Sequence, residues 1–141
     1  RCAVNPNSEQ DREIHHFTYS LYPHAGSVDT SDVVSQGYSL NLPLYCVSGK
    51  AAHSSYSLVS TDKDNIIIET VKKAEDSSDT VIRAYETWNK TTDCVYTFDR
   101  VPKSVYVCNL LEENEERLEV NGNTVALRFK PFEIKTVKVT F

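Results

Sequence analysis

From Tyr56 to the end the chain is a succession of short alternating segments separated by polar turns, and this rhythm restricts what it can fold into. Tyr56–Ser60, Ile66–Ala74, Thr80–Trp88, Cys94–Phe98, Ser104–Leu111, Leu118–Val120, Thr124–Phe129 and Phe132–Phe141 each read as a strand. Turn signals recur every ~8–12 residues, the spacing expected when two sheets share one apolar layer. The sharpest local signal is Asn121-Gly122 between two alternating runs, a pair that tolerates the positive φ angles of a type I′ hairpin turn. In the last segment the apolar phase slips from Phe132 and Ile134 to Val137, Val139 and Phe141, as a β-bulge would make it do. The chain therefore reads as all-β, an antiparallel β-sandwich with one short helix near the N-terminus.

That helix comes from the less regular first third. Residues 1–14 are polar and aperiodic, a linker or the irregular start of a domain that spans residues 15–141. Phe17, Tyr19 and Leu21 alternate with polar neighbours up to Pro23, the pattern of a strand with one buried face, and His24-Ala25-Gly26 turns the chain. Asp29 or Thr30 can cap a helix in which Val33, Val34 and Tyr38 share a face, ending by Gly37. Leu42–Val47 reads as a further strand with Pro43 at its start or on an edge, because proline cannot donate to a ladder. Phe17, Tyr19, Tyr85, Trp88, Phe98, Phe129 and Phe141 are the aromatics expected to fill the core.

Composition narrows the function classes. The 141 residues carry a net charge of −5, with the basic residues scattered, so polyanions are repelled and neither nucleic acid nor an anionic membrane is an expected partner. No apolar run approaches the ~20 residues of a spanning helix. The acidic run Glu112-Glu113-Asn114-Glu115-Glu116 lacks the ligand offsets and glycine of a calcium loop and reads as a solvated turn. Cys2, Cys46, Cys94 and Cys108 have no zinc-ligand spacing and read as free thiols, with Cys94 and Cys108 as small buried hydrophobes.

Catalytic constellations are scarce. None of His15, His16, His24 and His53 has the helical i, i+4 spacing of a zinc motif, and His24, between Pro23 and Gly26, is the one placed where loops carry function. Ser54-Ser55 beside His53 has no acidic orienter and no nucleophile-elbow glycines. Glu69 and Glu86 are conceivable as a glycosidase carboxylate pair, against the plainer reading of outward-facing strand residues or ion pairs with Lys72 and Arg83. No glycine-rich phosphate loop is present, and Asn89-Lys90-Thr91 matches a glycosylation sequon that matters only in a secreted eukaryotic protein.

Five ordered segments carry a resemblance. Ile67-Ile68-Glu69-Thr70-Val71-Lys72-Lys73-Ala74-Glu75-Asp76, Arg83-Ala84-Tyr85-Glu86, Cys108-Asn109-Leu110-Leu111-Glu112-Glu113, Asn121-Gly122-Asn123 and Lys130-Pro131-Phe132-Glu133-Ile134-Lys135-Thr136 resemble successive strands of the C-terminal domain of family 38 α-mannosidases. Upstream, Phe17–His24 and Tyr38–Leu44 are similar to the same family, so the likeness runs from about His15 to the end. The likeness is to the cytosolic, vacuolar and bacterial branch, which implies a cytoplasmic protein, with the vacuole as second choice. It also implies a larger enzyme that hydrolyses α-mannosidic bonds with retention, using an Asp nucleophile and a zinc-like divalent ion. Those groups belong to an N-terminal β/α domain outside this chain, so the resemblance assigns no catalytic, cofactor or metal residue here, and this segment alone is expected to be inactive. The implied partners are that catalytic domain and α-mannosides, with an oligomeric parent also allowed. After His24-Ala25-Gly26 the family carries an acid and an aromatic where this chain has Ser27-Val28. His24 remains the one candidate for the rim of the sugar site. An independent carbohydrate-binding module using Trp88 and tyrosines is the alternative.

Overall fold

The computed structural model describes residues 14–42 and 44–141. Among the described residues nine strands follow one short helix: α1 (Val33–Asn41), β1 (Val59–Thr61), β2 (Ile66–Lys73), β3 (Thr80–Glu86), β4 (Thr92–Phe98), β5 (Ser104–Cys108), β6 (Asn114–Leu118), β7 (Val120–Asn121), β8 (Thr124–Phe129) and β9 (Ile134–Thr140). They form a four-stranded sheet, β1-β4-β8-β7, and a five-stranded sheet, β2-β3-β9-β5-β6, antiparallel throughout. The expected all-β sandwich with one short helix is the observed architecture.

Period-2 alternation places the core. Cys94, Tyr96 and Phe98 on β4 and Val125, Leu127 and Phe129 on β8 face Ile82, Ala84, Val105, Val137 and Val139 of the other sheet, all buried. Each fully buried large apolar side chain contributes about 1.5–3 kcal/mol. Of the expected core aromatics, Phe98 and Phe129 are buried, Phe141 packs on the cluster edge-to-face with Phe98 at 5.9 Å, and Tyr85 and Trp88 are half-buried. Phe17 and Tyr19 are 82% and 85% exposed, so the core excludes them, while Tyr96, not among the expected residues, lies inside it.

Several local expectations are corrected. Phe17–Tyr22 and Leu44–Val47 lie outside both sheets, because alternation marks a face that could be buried without supplying the strand that pairs with it. Pro43 and the linker assigned to residues 1–14, all but Ile14, lie outside the described residues. The helix begins after Asp32, preceded by a single 3₁₀ turn at Val28–Thr30, and it runs through Gly37. Neither Asp29 nor Thr30 caps it.

The hairpin expected at Asn121-Gly122 is present one residue later. Asn121 pairs with Thr124, the loop residues are Gly122 and Asn123, and of these only Gly122 has a positive φ, +59°, so a type I′ turn, which needs two such residues, is not formed. No bulge interrupts β9, whose ladders to β3 and β5 run unbroken. The irregularities fall instead between Ile68 and Thr70 and between Val107 and Cys108. The phase slip in the sequence has another cause: Ile134 is 64% exposed on the outer face, whereas Val137 and Val139 point inward.

Glu113 to Glu116 of the acidic run are exposed, as expected of a solvated segment, but the run enters a strand rather than forming a turn and its first residue is buried. Asn114–Leu118 is edge strand β6, and Glu112, at φ 65° and only 6% exposed, bonds Lys72 Nζ at 2.7 Å and accepts from the Glu75 amide at 2.9 Å. In the order β2-β3-β9-β5, a residue just after β5 reaches β2 only by crossing the outer face above β9 and β3. That crossing accounts for the burial of Val81 and Lys138 on an outward-facing surface.

Candidate functional site

A cleft of about 640 Å³ opens between residues 22–35 and the end of the five-stranded sheet. Gly26, at φ +80°, reverses the chain and brings the stretch around Tyr22 and His24 against the start of α1. Tyr22 Oη donates to Asp32 Oδ1 at 2.8 Å, and Gln36 Nε2 donates to Oδ2 at 3.1 Å. These bonds, the Tyr22 one foremost, hold the Asp32 carboxyl below its usual range, and the same contact pushes the Tyr22 phenol up. His24 stacks on Tyr22 with ring centroids 6.3 Å apart and planes 22° apart. It is half-buried in the cleft wall.

The opposite wall is Asp64, Ile67, Thr87 and Trp88. Its shape depends on a buried polar knot at the end of β3. Glu86, 1% exposed, accepts at Oε1 from Asn65 Nδ2 (2.8 Å) and the Trp88 amide (2.6 Å), and at Oε2 from the Lys90 amide (3.2 Å) and the Phe132 amide (2.9 Å). Asn65 Nδ2 also meets Thr92 Oγ1 at 2.7 Å. Burial pushes the Glu86 carboxyl up, but the donated hydrogen bonds outweigh it and leave the group below its ordinary range. A carboxylate has about four lone-pair positions, and here all are used.

Glu86 is therefore neither outward-facing nor ion-paired with Arg83, whose Nε donates to Thr136 Oγ1 at 3.2 Å. Glu69 is exposed and accepts from the Thr70 hydroxyl, while Lys72 pairs with Glu75 and Glu112. With four N–H donors on its two oxygens, Glu86 is not free to carry a proton to a leaving group or to attack a sugar carbon, as the conceivable Glu69–Glu86 pair requires.

Of the sequence candidates, His24 alone among the histidines lines this cleft; His15, His16 and His53 are exposed elsewhere. Tyr22 and Asp32 were not singled out, and the available signal was only the proximity of Tyr22 to the Pro23–Gly26 turn. Cys94 and Cys108 are buried free thiols and Cys46 is an exposed one. Burial pushes Cys94 up to about 11 and raises Cys108, so neither is a ready thiolate. Asn89 of the sequon is exposed at φ 56°. Among the described residues no three His, Cys, Asp or Glu side chains converge to hold a metal ion. No helix among them is long and apolar enough to cross a membrane.

Residues 65–137 match the glycosyl hydrolases family 38 C-terminal beta sandwich domain. The chain belongs to that family. Alpha-mannosidase G of Dictyostelium discoideum is 36% identical over 98% of this chain and 13% of its own length. The human and mouse proteins named Alpha-mannosidase 2C1 are 33% and 30% identical over 95% and 97% of the chain, each over 14% of its own length. This family 38 domain thus spans about one seventh of the curated relatives it matches. The family match includes Glu86 and Trp88, and it begins downstream of Tyr22, His24 and Asp32.

Proposed function

We propose that this domain is the non-catalytic C-terminal sandwich of a retaining α-mannosidase, that it stabilises the catalytic part of the longer chain, and that His24 lines the rim of that enzyme's sugar site. The nucleophile and the zinc-like ion then belong to the catalytic part. The observation that carries the rim assignment is the cleft itself, which sets the faces of Tyr22, His24 and Trp88 beside the acceptor Asp32. A sugar ring presents apolar C–H faces and polar hydroxyls, and a site for it needs both kinds of surface. A cytoplasmic setting, with the vacuole second, fits the free thiols Cys46, Cys94 and Cys108.

In the full-length enzyme, His24→Ala is expected to raise KM for an α-mannoside several-fold while kcat and thermal stability stay near wild type. Unchanged KM would remove His24 from the rim. The half-exposure of Trp88 in the same cleft favours one second reading, an independent carbohydrate-binding module. Titrating mannose and mannobiose against Trp88 fluorescence separates the two, since a module responds saturably and a scaffold domain does not.

A further inference from the structure

The outer surfaces of the two sheets differ at one end of the five-stranded sheet, where apolar side chains are exposed. On the four-stranded sheet the outward, exposed positions are Ser60, Asp93, Thr97, Ala126 and Arg128, with Arg128 3.7 Å from Asp93, a surface suited to water. On the five-stranded sheet, Ile134 is 64% exposed beside a groove of about 400 Å³ that it shares with Leu110, itself 74% exposed. Two residues before Ile134, Phe132 is 61% exposed and held at φ 55°. A bulky aromatic rarely occupies the left-handed region and stays there only when its surroundings over-determine it.

Here they do. The Phe132 amide is tied to Glu86 Oε2 at 2.9 Å, the Glu133 amide donates to the Lys130 carbonyl at 3.1 Å, and the Lys130 amide donates to Glu133 Oε2 at 2.6 Å. The Glu86 amide donates back to the Glu133 carbonyl at 3.1 Å, joining the turn to β3. A buried carboxylate thus fixes an apolar ring in a disfavoured conformation and aims it at solvent. Glycine or asparagine would hold the same turn with less strain, so the turn geometry does not call for a phenyl ring.

We infer that Phe132, with Ile134 and Leu110, is a preformed apolar anchor on which the N-terminal part of the longer chain docks. The inference rests on the reading of this domain as the tail of a mannosidase. It takes its occupant from the relatives, of whose length this chain spans only 13–14%, which leaves a large body of chain to cover one face of the sandwich. A rigid ring set before docking loses little conformational entropy when it is buried.

The test is hydroxyl-radical footprinting of the full-length protein by mass spectrometry, with each side chain normalised to its labelling rate in denaturant. Phe132, Ile134 and Leu110 are expected to label several-fold more slowly than their exposure in this domain implies, at every protein concentration. Phe132→Asn, which keeps the left-handed turn and removes the ring, is expected to restore labelling of Ile134 and Leu110 and to lower the Tm of the full chain. Free labelling of Phe132, or an unchanged or raised Tm in Phe132→Asn, overturns the anchor. Protection that appears only as concentration rises makes the occupant a second copy and also overturns it. A native polypeptide of only about 16.0 kDa would instead sink the mannosidase-tail reading on which the anchor depends.

Discussion

Glu86 is the residue on which most of the local architecture converges: two turns, one carrying Trp88 and one carrying Phe132, end on its two oxygens. Glu86→Gln replaces one acceptor oxygen with an NH₂ that faces N–H donors. Hydrogen bonds to charged groups are worth about 1.5–3 kcal/mol each. The variant should therefore lose about 3 kcal/mol while staying folded, since domain stabilities run to about 5–15 kcal/mol. The sign of the pH effect follows from the depressed carboxyl. Its folded pKa lies below the ordinary 4.5, so on acidification the unfolded chain takes up the proton first. The contribution is complete above about pH 4.5 and is lost as pH falls through the folded value. Urea melts from pH 6 to pH 3 should show a flatter profile for Glu86→Gln than for the parent. Equal slopes would mean that Glu86 takes up its proton at the same pH in the folded and the unfolded chain. The inward placement of this residue was legible in the sequence, because it shares the phase of Ile82 and Ala84. Its charge argued the other way, and only the four N–H donors, assembled from Asn65 just before β2, the 87–90 turn and the 130–133 turn, resolve the conflict.

At the scale of elements, α1 stands apart from the strands. It buries no residue, and a 3.0 Å contact between the Tyr38 and Tyr85 hydroxyls links it to β3. An element with so little buried apolar surface opens locally rather than with the core. Gly37 sits inside α1, and a Cβ added there meets nothing within 4 Å. Gly37→Ala should stabilise the helix by about 0.5–1 kcal/mol. Hydrogen exchange would read this as slower exchange of the α1 amides with no change in β4 or β8. Slower exchange in both places would mean that α1 unfolds with the sandwich. Pattern alone served this region least well. The 17–21 alternation resembles that of β4, but β4 has β1 and β8 as partners, and whether a partner exists is a property of the rest of the chain.

For the molecule as a whole the question is whether the two sheets are one cooperative unit. The sequence made the sandwich legible because burial on one face imposes alternation on β4 and β8, whose inward residues Cys94, Tyr96, Phe98, Val125, Leu127 and Phe129 all lie in the core. The cleft was less legible, because Tyr22, Asp32 and Trp88 meet only through the path of the chain, and no spacing encodes that meeting. Two buried thiols report on cooperativity without any substitution. Cys94 lies on β4 of the four-stranded sheet, and Cys108 lies on β5 of the five-stranded one, where its thiol donates to the Thr136 carbonyl at 3.6 Å. Both are buried with raised pKa values, so alkylation requires the sheet around Cys94, and the covering of the outer face around Cys108, to open. Cys46, exposed outside both sheets, should react at once in the native protein and serve as the internal reference. The sheets share one apolar layer, with Phe129 of one and Val137 of the other almost wholly buried in it, and separating them would expose both halves. Cys94 and Cys108 should therefore become reactive along a single denaturant curve, followed site by site with mass spectrometry. If Cys108 reacts at markedly lower urea than Cys94, the outer face of the five-stranded sheet opens on its own, and the crossing held by Glu112 and Lys72 is a local latch rather than part of the core unit.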